Sequence, residues 1–301
     1  MRKVTYISVL IINMTGILYT YPLFKQEENK FLLCELRKNR LGENADRFEK
    51  DVKIDKTIEN YKKALETTSS LKNKKTILLL IAQLYKGIKK NKEAIESYRD
   101  YLKLATTPEE IIRGKIALSN IYFETEEYDK GLKILDEVIE KYPEYAGEAQ
   151  YNKASFYHRI AKDYNKAIIE YQKMIEKYPS HWTIRDGVGL LYIADCYVNL
   201  KKYEKAIEIY KKLIEEYPNT CAAKIAELYT GVCYIKQKKY EKAIKLYKEI
   251  TTKYPPDSEM AKSAELYIHF INEYFKKGIE PPPEIIRKEL EKRGITGAMT
   301  E

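Results

Sequence analysis

The chain has 301 residues, 44% of them apolar and 33% charged, with only 12 glycines and 10 prolines. That composition supplies a core and excludes a turn-rich sheet protein. The formal charge of +9 leaves an anionic partner open without requiring one, because a surface rich in lysine and glutamate reaches it unaided.

At the N-terminus, Arg2 and Lys3 precede 21 uncharged positions that run to Phe24. As a helix they would span about 31 Å, matching the ~30 Å hydrocarbon core of a bilayer, although Pro22 shortens the helix and Thr5, Ser8 and Asn13 weaken it. We read residues 1–3 as a cytoplasmic N-terminus, 4–24 as a membrane anchor or signal segment, and 25–34 as a linker. No pair of small residues at alternate positions occurs from Thr5 to Phe24, which favours an uncleaved anchor over a signal peptide. Arg2 and Lys3 then stay inside and the rest of the chain faces outward, into the periplasm or cell envelope. The alternative is a buried N-terminal helix of a soluble cytoplasmic protein. Bulky Leu33 disfavours lipidation at Cys34.

Residues 35–277 repeat themselves. Aligned on Thr57, Ala94, Gly131, Ala167, Ala206 and Ala243, the intervals are 37, 37, 36, 39 and 37. Four residues after each stands Tyr61, Tyr98, Leu135, Tyr171, Tyr210 or Tyr247. Nine before each stands Phe48, Tyr85, Tyr122, His158, Tyr197 or Tyr234, and three before those Ala45, Ala82, Ser119, Ser155, Ala194 or Gly231. Tyr-Pro closes four units at Pro143, Pro179, Pro218 and Pro255, where proline's fixed φ and missing N–H stop a helix. The rest, 278–301, reads as a capping helix started by Pro283 and stopped by Gly294, with a frayed tail from Thr296.

These positions, small-x-x-Tyr, then Ala-x-x-x-aromatic, then Pro, resemble the tetratricopeptide repeat family, in a long variant ending in Tyr-Pro that looks like the repeats of bacterial cell-envelope proteins. The resemblance implies an all-α, right-handed superhelical solenoid of six to seven antiparallel helix pairs, each pair burying the next. It also implies a non-enzymatic protein-protein interaction scaffold that holds a helical or extended partner segment in a concave groove.

Family geometry assigns to that groove Gln83, Asn120, Phe156, Asp195 and Val232, two before the recurring aromatic position. Leu79, Ile116, Asn152, Leu191 and Leu228 stand six before it, and Lys86, Phe123, Arg159, Val198 and Ile235 one after, with Asn199 next to Val198. From these we take Gln83, Asn120, Phe123, Asn152, Phe156, Arg159, Asp195 and Asn199 as candidate partner contacts. The competing role for each is packing between neighbouring first helices. Chaperone-tail adaptors of the family pair a Lys with an Asn to clamp a terminal carboxylate; Asn120 fits that pattern and Ile116 does not. Trp182 joins the candidates because the longest interval inserts PSHWTIRD, Pro179 to Asp186, around the only tryptophan, a residue type suited to a binding hot spot. Its competing role is a hydrophobic staple on the following helix.

A rival surface is the line of basic hairpin tips at Lys89 to Lys92, Lys201 and Lys202, and Lys238 and Lys239, which would attract anionic lipid ahead of nucleic acid. No cofactor, metal or catalytic residue is expected: there is no phosphate loop, HExxH or nucleophile elbow, and the four cysteines form no CxxC pair. Cys196 and Cys233 share one repeat slot, which reads as core. His158 substitutes for a packing tyrosine, and His269 lies on the last repeat-like helix.

Overall fold

A computed structural model of the protein describes the backbone of residues 45–295 and side chains from Lys53 onward, save those of Trp182 and Thr183. The proposed anchor at 4–24, the linker at 25–34, Cys34 and the tail from Thr296 lie outside the described residues. Among those described, no helix is long and apolar enough to cross a membrane.

The described residues form no strand. In the first part, α1 (Ala45–Thr67), α2 (Leu71–Gly87), α3 (Asn91–Leu104), α4 (Pro108–Glu124) and α5 (Tyr128–Lys141) precede a short 3-10 turn and α6 (Ala146–Arg159). Then come α7 (Tyr164–Lys177), the single-turn α8 (Trp182–Arg185), α9 (Val188–Asn199), α10 (Tyr203–Glu216), α11 (Cys221–Lys236), α12 (Tyr240–Lys253) and α13 (Glu259–Glu273). A second 3-10 turn leads to α14 (Pro283–Lys292). Two compact units divide after Lys153, within α6. In the first unit α1 to α5 pack each against the next in sequence; in the second the same holds from α9 to α13, and there α9 also meets α7 and α11, and α11 meets α13.

The repeat signature maps onto this packing. Ala94, Ala167, Ala206 and Ala243 are 0% exposed, and Tyr98, Tyr171, Tyr210 and Tyr247 at most 3%. The second helices of these four units therefore sink a tyrosine into the core, as α5 does Leu135, and in the last of them the space is left by a small residue of the first helix. At Gly231 a Cβ would fall 2.3 Å from Tyr247 Cζ, and the Tyr247 hydroxyl donates to the Leu228 carbonyl at 3.1 Å. The stacking continues to the end of the array, where Leu290 and Ile295 of the capping segment join the core cluster of α11, α12 and α13.

Helix ends follow local chemistry. The tyrosine of each Tyr-Pro caps its helix, as at Tyr142, Tyr178, Tyr217 and Tyr254, because the residue before proline is pushed out of the α region. Thr107 and Glu110 form a capping box over α4. The Glu110 carboxyl is held down to about 2, from an ordinary 4.5, by Lys75 first and by the Thr106 and Thr107 amides. Glu110→Ala should cost about 1 kcal/mol at pH 7, the size of a capping interaction. A depressed folded-state value gives stability that is present above pH 4.5 and lost as pH falls toward 2. Thermal melts of the two proteins should therefore converge over that window.

The turns from first to second helix break a common rule. Lys89, Glu126, Lys162, Lys201 and Lys238 adopt positive φ, from 52° to 62°, where glycine is the usual occupant. The backbone geometry is that of a helix-ending αL turn: Lys90, Glu127, Lys202 and Lys239 amides donate to the carbonyls of Tyr85, Tyr122, Tyr197 and Tyr234 at 2.8–2.9 Å. A side chain in the αL region costs about 1 kcal/mol. Lys201→Gly and Lys238→Gly should each raise stability by about that much, additively, in urea titrations.

Candidate functional site

First helices present their candidate contacts unevenly. In the first unit Gln83 on α2 is exposed and Asn120 on α4 half-buried. Asn152 on α6 is half-buried and spends its amide on its own helix, donating to the Glu148 carbonyl at 2.8 Å and to Glu148 Oε1 at 3.2 Å. Phe123 and Phe156, expected on the accessible face, are instead 3% and 4% exposed. The cause at Phe123 is visible: a Cβ on Gly131 would fall 2.3 Å from its ring, so the phenyl group fills the gap which that glycine leaves on α5. Phe156 stands edge-on to Tyr157, with ring centroids 5.2 Å apart. Ile116, Leu228, Val232 and Ile235 are likewise buried. What stays accessible on this face is mostly polar.

The second unit gathers three polar side chains. His158, at the end of α6, is 9% exposed and lies under α9, its Nε2 2.8 Å from Asp195 Oδ2. An ionised carboxylate only accepts, so Nε2 of a neutral ring carries the proton and Nδ1 faces the Tyr171 hydroxyl 3.4 Å away. Asn199, one turn on, donates to the Asp195 carbonyl at 2.9 Å and reaches Asp195 Oδ2 at 3.4 Å. Tyr164, Tyr171 and Tyr192 surround the imidazole edge-on, each with its ring centroid 6.0 Å away. The Asp195 side chain itself is 44% exposed. It is thus a carboxylate fixed from below and open from above, with Arg159 half-buried on the neighbouring helix.

The part of His158 in orienting Asp195 is absent from a reading of the sequence as a simple packing substitution. The available signal is a histidine in a tyrosine slot, with an acid in the groove slot one repeat later. Cys196 and Cys233 are 0% exposed, and burial, with Asp195 as a lesser cause, pushes the Cys233 thiol up to about 12, so both are inert core residues. Cys221 is exposed at the start of α11. Trp182 opens α8, whose Ile184 is buried; its own side chain is outside the described part. Lys90 and Lys239, from the basic tips, pair with Asp55 at 2.8 Å and Glu204 at 3.7 Å.

Comparison with known proteins finds family models described as tetratricopeptide repeat matching residues 76–107, 116–181, 189–220 and 226–256, together just over half of the chain. No curated protein matches. Among solved structures, a tetratricopeptide repeat protein from Parabacteroides merdae is 19% identical, covering 82% of this chain and 95% of its own, with a TM-score of 0.49. A Rap protein complexed with competence and sporulation factor is 14% identical, covering 88% and 81%, with a TM-score of 0.45.

Proposed function

Because the chain belongs to the tetratricopeptide repeat family, we propose that it is a protein-interaction scaffold whose first-helix face holds a segment of a partner protein, with Asp195 as a central contact. The observation that carries this reading is the wet end of the His158–Asp195 pair. A carboxylate whose Oδ2 is already fixed by His158 and Asn199 presents its remaining acceptor capacity to solvent without further ordering cost. In the same unit Arg159 and Asn199 add polar contacts that set register, and in the other unit Gln83 and Asn120 are the candidate contacts. An extended or helical segment carrying N–H donors suits such a surface better than an apolar anchor does.

The test uses peptides selected from a displayed library on the full-length protein. Asp195→Ala should weaken their capture by about 2 kcal/mol, the size of a hot spot. Lys211→Ala, on the exposed side of α10, should leave it unchanged. Equal affinity for wild type and the Asp195, Asn199 and Asn120 alanine variants would refute the assignment.

The same reading places the scaffold at a membrane through residues 4–24, with the repeats outside the cytoplasm. Its support is the uncharged run between Lys3 and Lys25. The protein should resist carbonate extraction, and protease added from outside should reach the repeats. A freely soluble pool would remove the anchor and leave a cytoplasmic adaptor.

A further inference from the structure

Three turns in the second unit, α6 to α7, α9 to α10 and α11 to α12, place Lys162, Lys201 and Lys238 at positive φ of 52°, 58° and 59°. The corresponding position after α13 is Gly278, φ 73°, closed by the same kind of bond, the Ile279 amide to the Tyr274 carbonyl at 3.1 Å. Glycine therefore fits this turn, and three successive turns use a strained lysine in its place. A side chain held against its backbone preference at one recurring position points to a use for the side chain.

The acids beside these turns are already paired with other lysines. Asp163, Glu204 and Glu241, the acids nearest the turns in sequence, are engaged by Lys166 at 3.2 Å, Lys239 at 3.7 Å and Lys276 at 2.8 Å. Those bonds also show that the turns at Lys201 and Lys238 share an edge, since Lys239 and Gln237 reach Glu204 beside the turn before, and the α6 end is joined to the first helix of the next pair through His158 and Asp195. Lys162, Lys201 and Lys238 are exposed, and among the described residues none of them forms an ion pair.

We propose that this turn edge is a second interaction surface, separate from the first-helix face, and that it docks on the anionic head groups of a lipid bilayer. Lysine is a compact point charge suited to mobile phosphate and carboxylate head groups. The αL positions carry no arginine fork, and these lysines recur once per helix pair, far more sparsely than duplex phosphates at about one per 1.7 Å.

The experiment measures partitioning of the full chain onto vesicles of pure phosphatidylcholine and of phosphatidylcholine with phosphatidylserine at roughly 30%, in about 0.1 M salt. Any insertion of residues 4–24 contributes to both, so the ratio between the two lipids isolates the edge. Wild type should prefer the anionic vesicles. The triple variant Lys162→Gly, Lys201→Gly, Lys238→Gly should lose on the order of 100-fold of that preference while melting at a higher temperature, since glycine relieves the turn. The triple Lys→Arg variant should keep it. An unchanged ratio in the glycine variant, or no anionic preference in wild type, overturns the proposal. Release of wild type from the anionic vesicles by duplex DNA at equal phosphate concentration also overturns it and makes the edge a nucleic-acid surface.

Discussion

Tyr247→Ala is expected to destabilise the second unit by about 3–5 kcal/mol, the range for deleting a large buried side chain. The ring is 0% exposed and stacks on Tyr267 with centroids 5.0 Å apart and planes 5° from parallel. Its hydroxyl satisfies the Leu228 carbonyl, which truncation would leave without that donor. Tyr247→Phe removes only the hydroxyl and should cost about 1 kcal/mol. Repeat arrays lose stability locally, so hydrogen exchange of amides in α11, α12 and α13 is the appropriate measurement. If Tyr247→Phe cost as much as Tyr247→Ala, the hydrogen bond would outweigh the packing, against this account.

The second large effect is at Gly231. Its would-be Cβ lies 2.3 Å from Tyr247 Cζ and 2.5 Å from the hydroxyl oxygen. Gly231→Val should therefore cost at least about 3 kcal/mol through overpacking, and Gly231→Ala about 1–3 kcal/mol. The sign should reverse once the obstacle is gone. In a Tyr247→Ala background, Gly231→Ala should be neutral or stabilising by up to about 1 kcal/mol, because alanine is the better helix former. Additive costs across this double-mutant cycle would show that glycine is not there to admit the tyrosine.

The Tyr247 and Gly231 pair marks how much of the fold could be read from the sequence. Packing contacts between a first and a second helix recur in every unit, so they leave a periodic trace, and the buried alanines and tyrosines lie where the repeat places them. Pro283 and Gly294 likewise bound the capping helix, since each has a local backbone role independent of tertiary context. The candidate site was less legible. Family geometry assigns Phe123 and Phe156 to the same face as Asn120 and Asp195, and only the structure reveals that apolar members of that face sink while polar ones stay wet. The His158–Asp195 contact joins residues 37 apart, in different slots of successive units, and neither residue type recurs at its slot. The αL lysines escape notice for the opposite reason: that conformation is ordinarily flagged by glycine, which only Gly278 supplies at these turns.

Site-specific photo-crosslinking in cells tests the central claim, that this family member works by holding a partner on its first helices. A photoreactive side chain at Asn120 or Asn199, on first helices, should give discrete protein adducts, and the same group at Lys211 or Lys248, exposed on second helices, should not. Adducts of equal yield from both sets of positions, or none from the first helices, would contradict it.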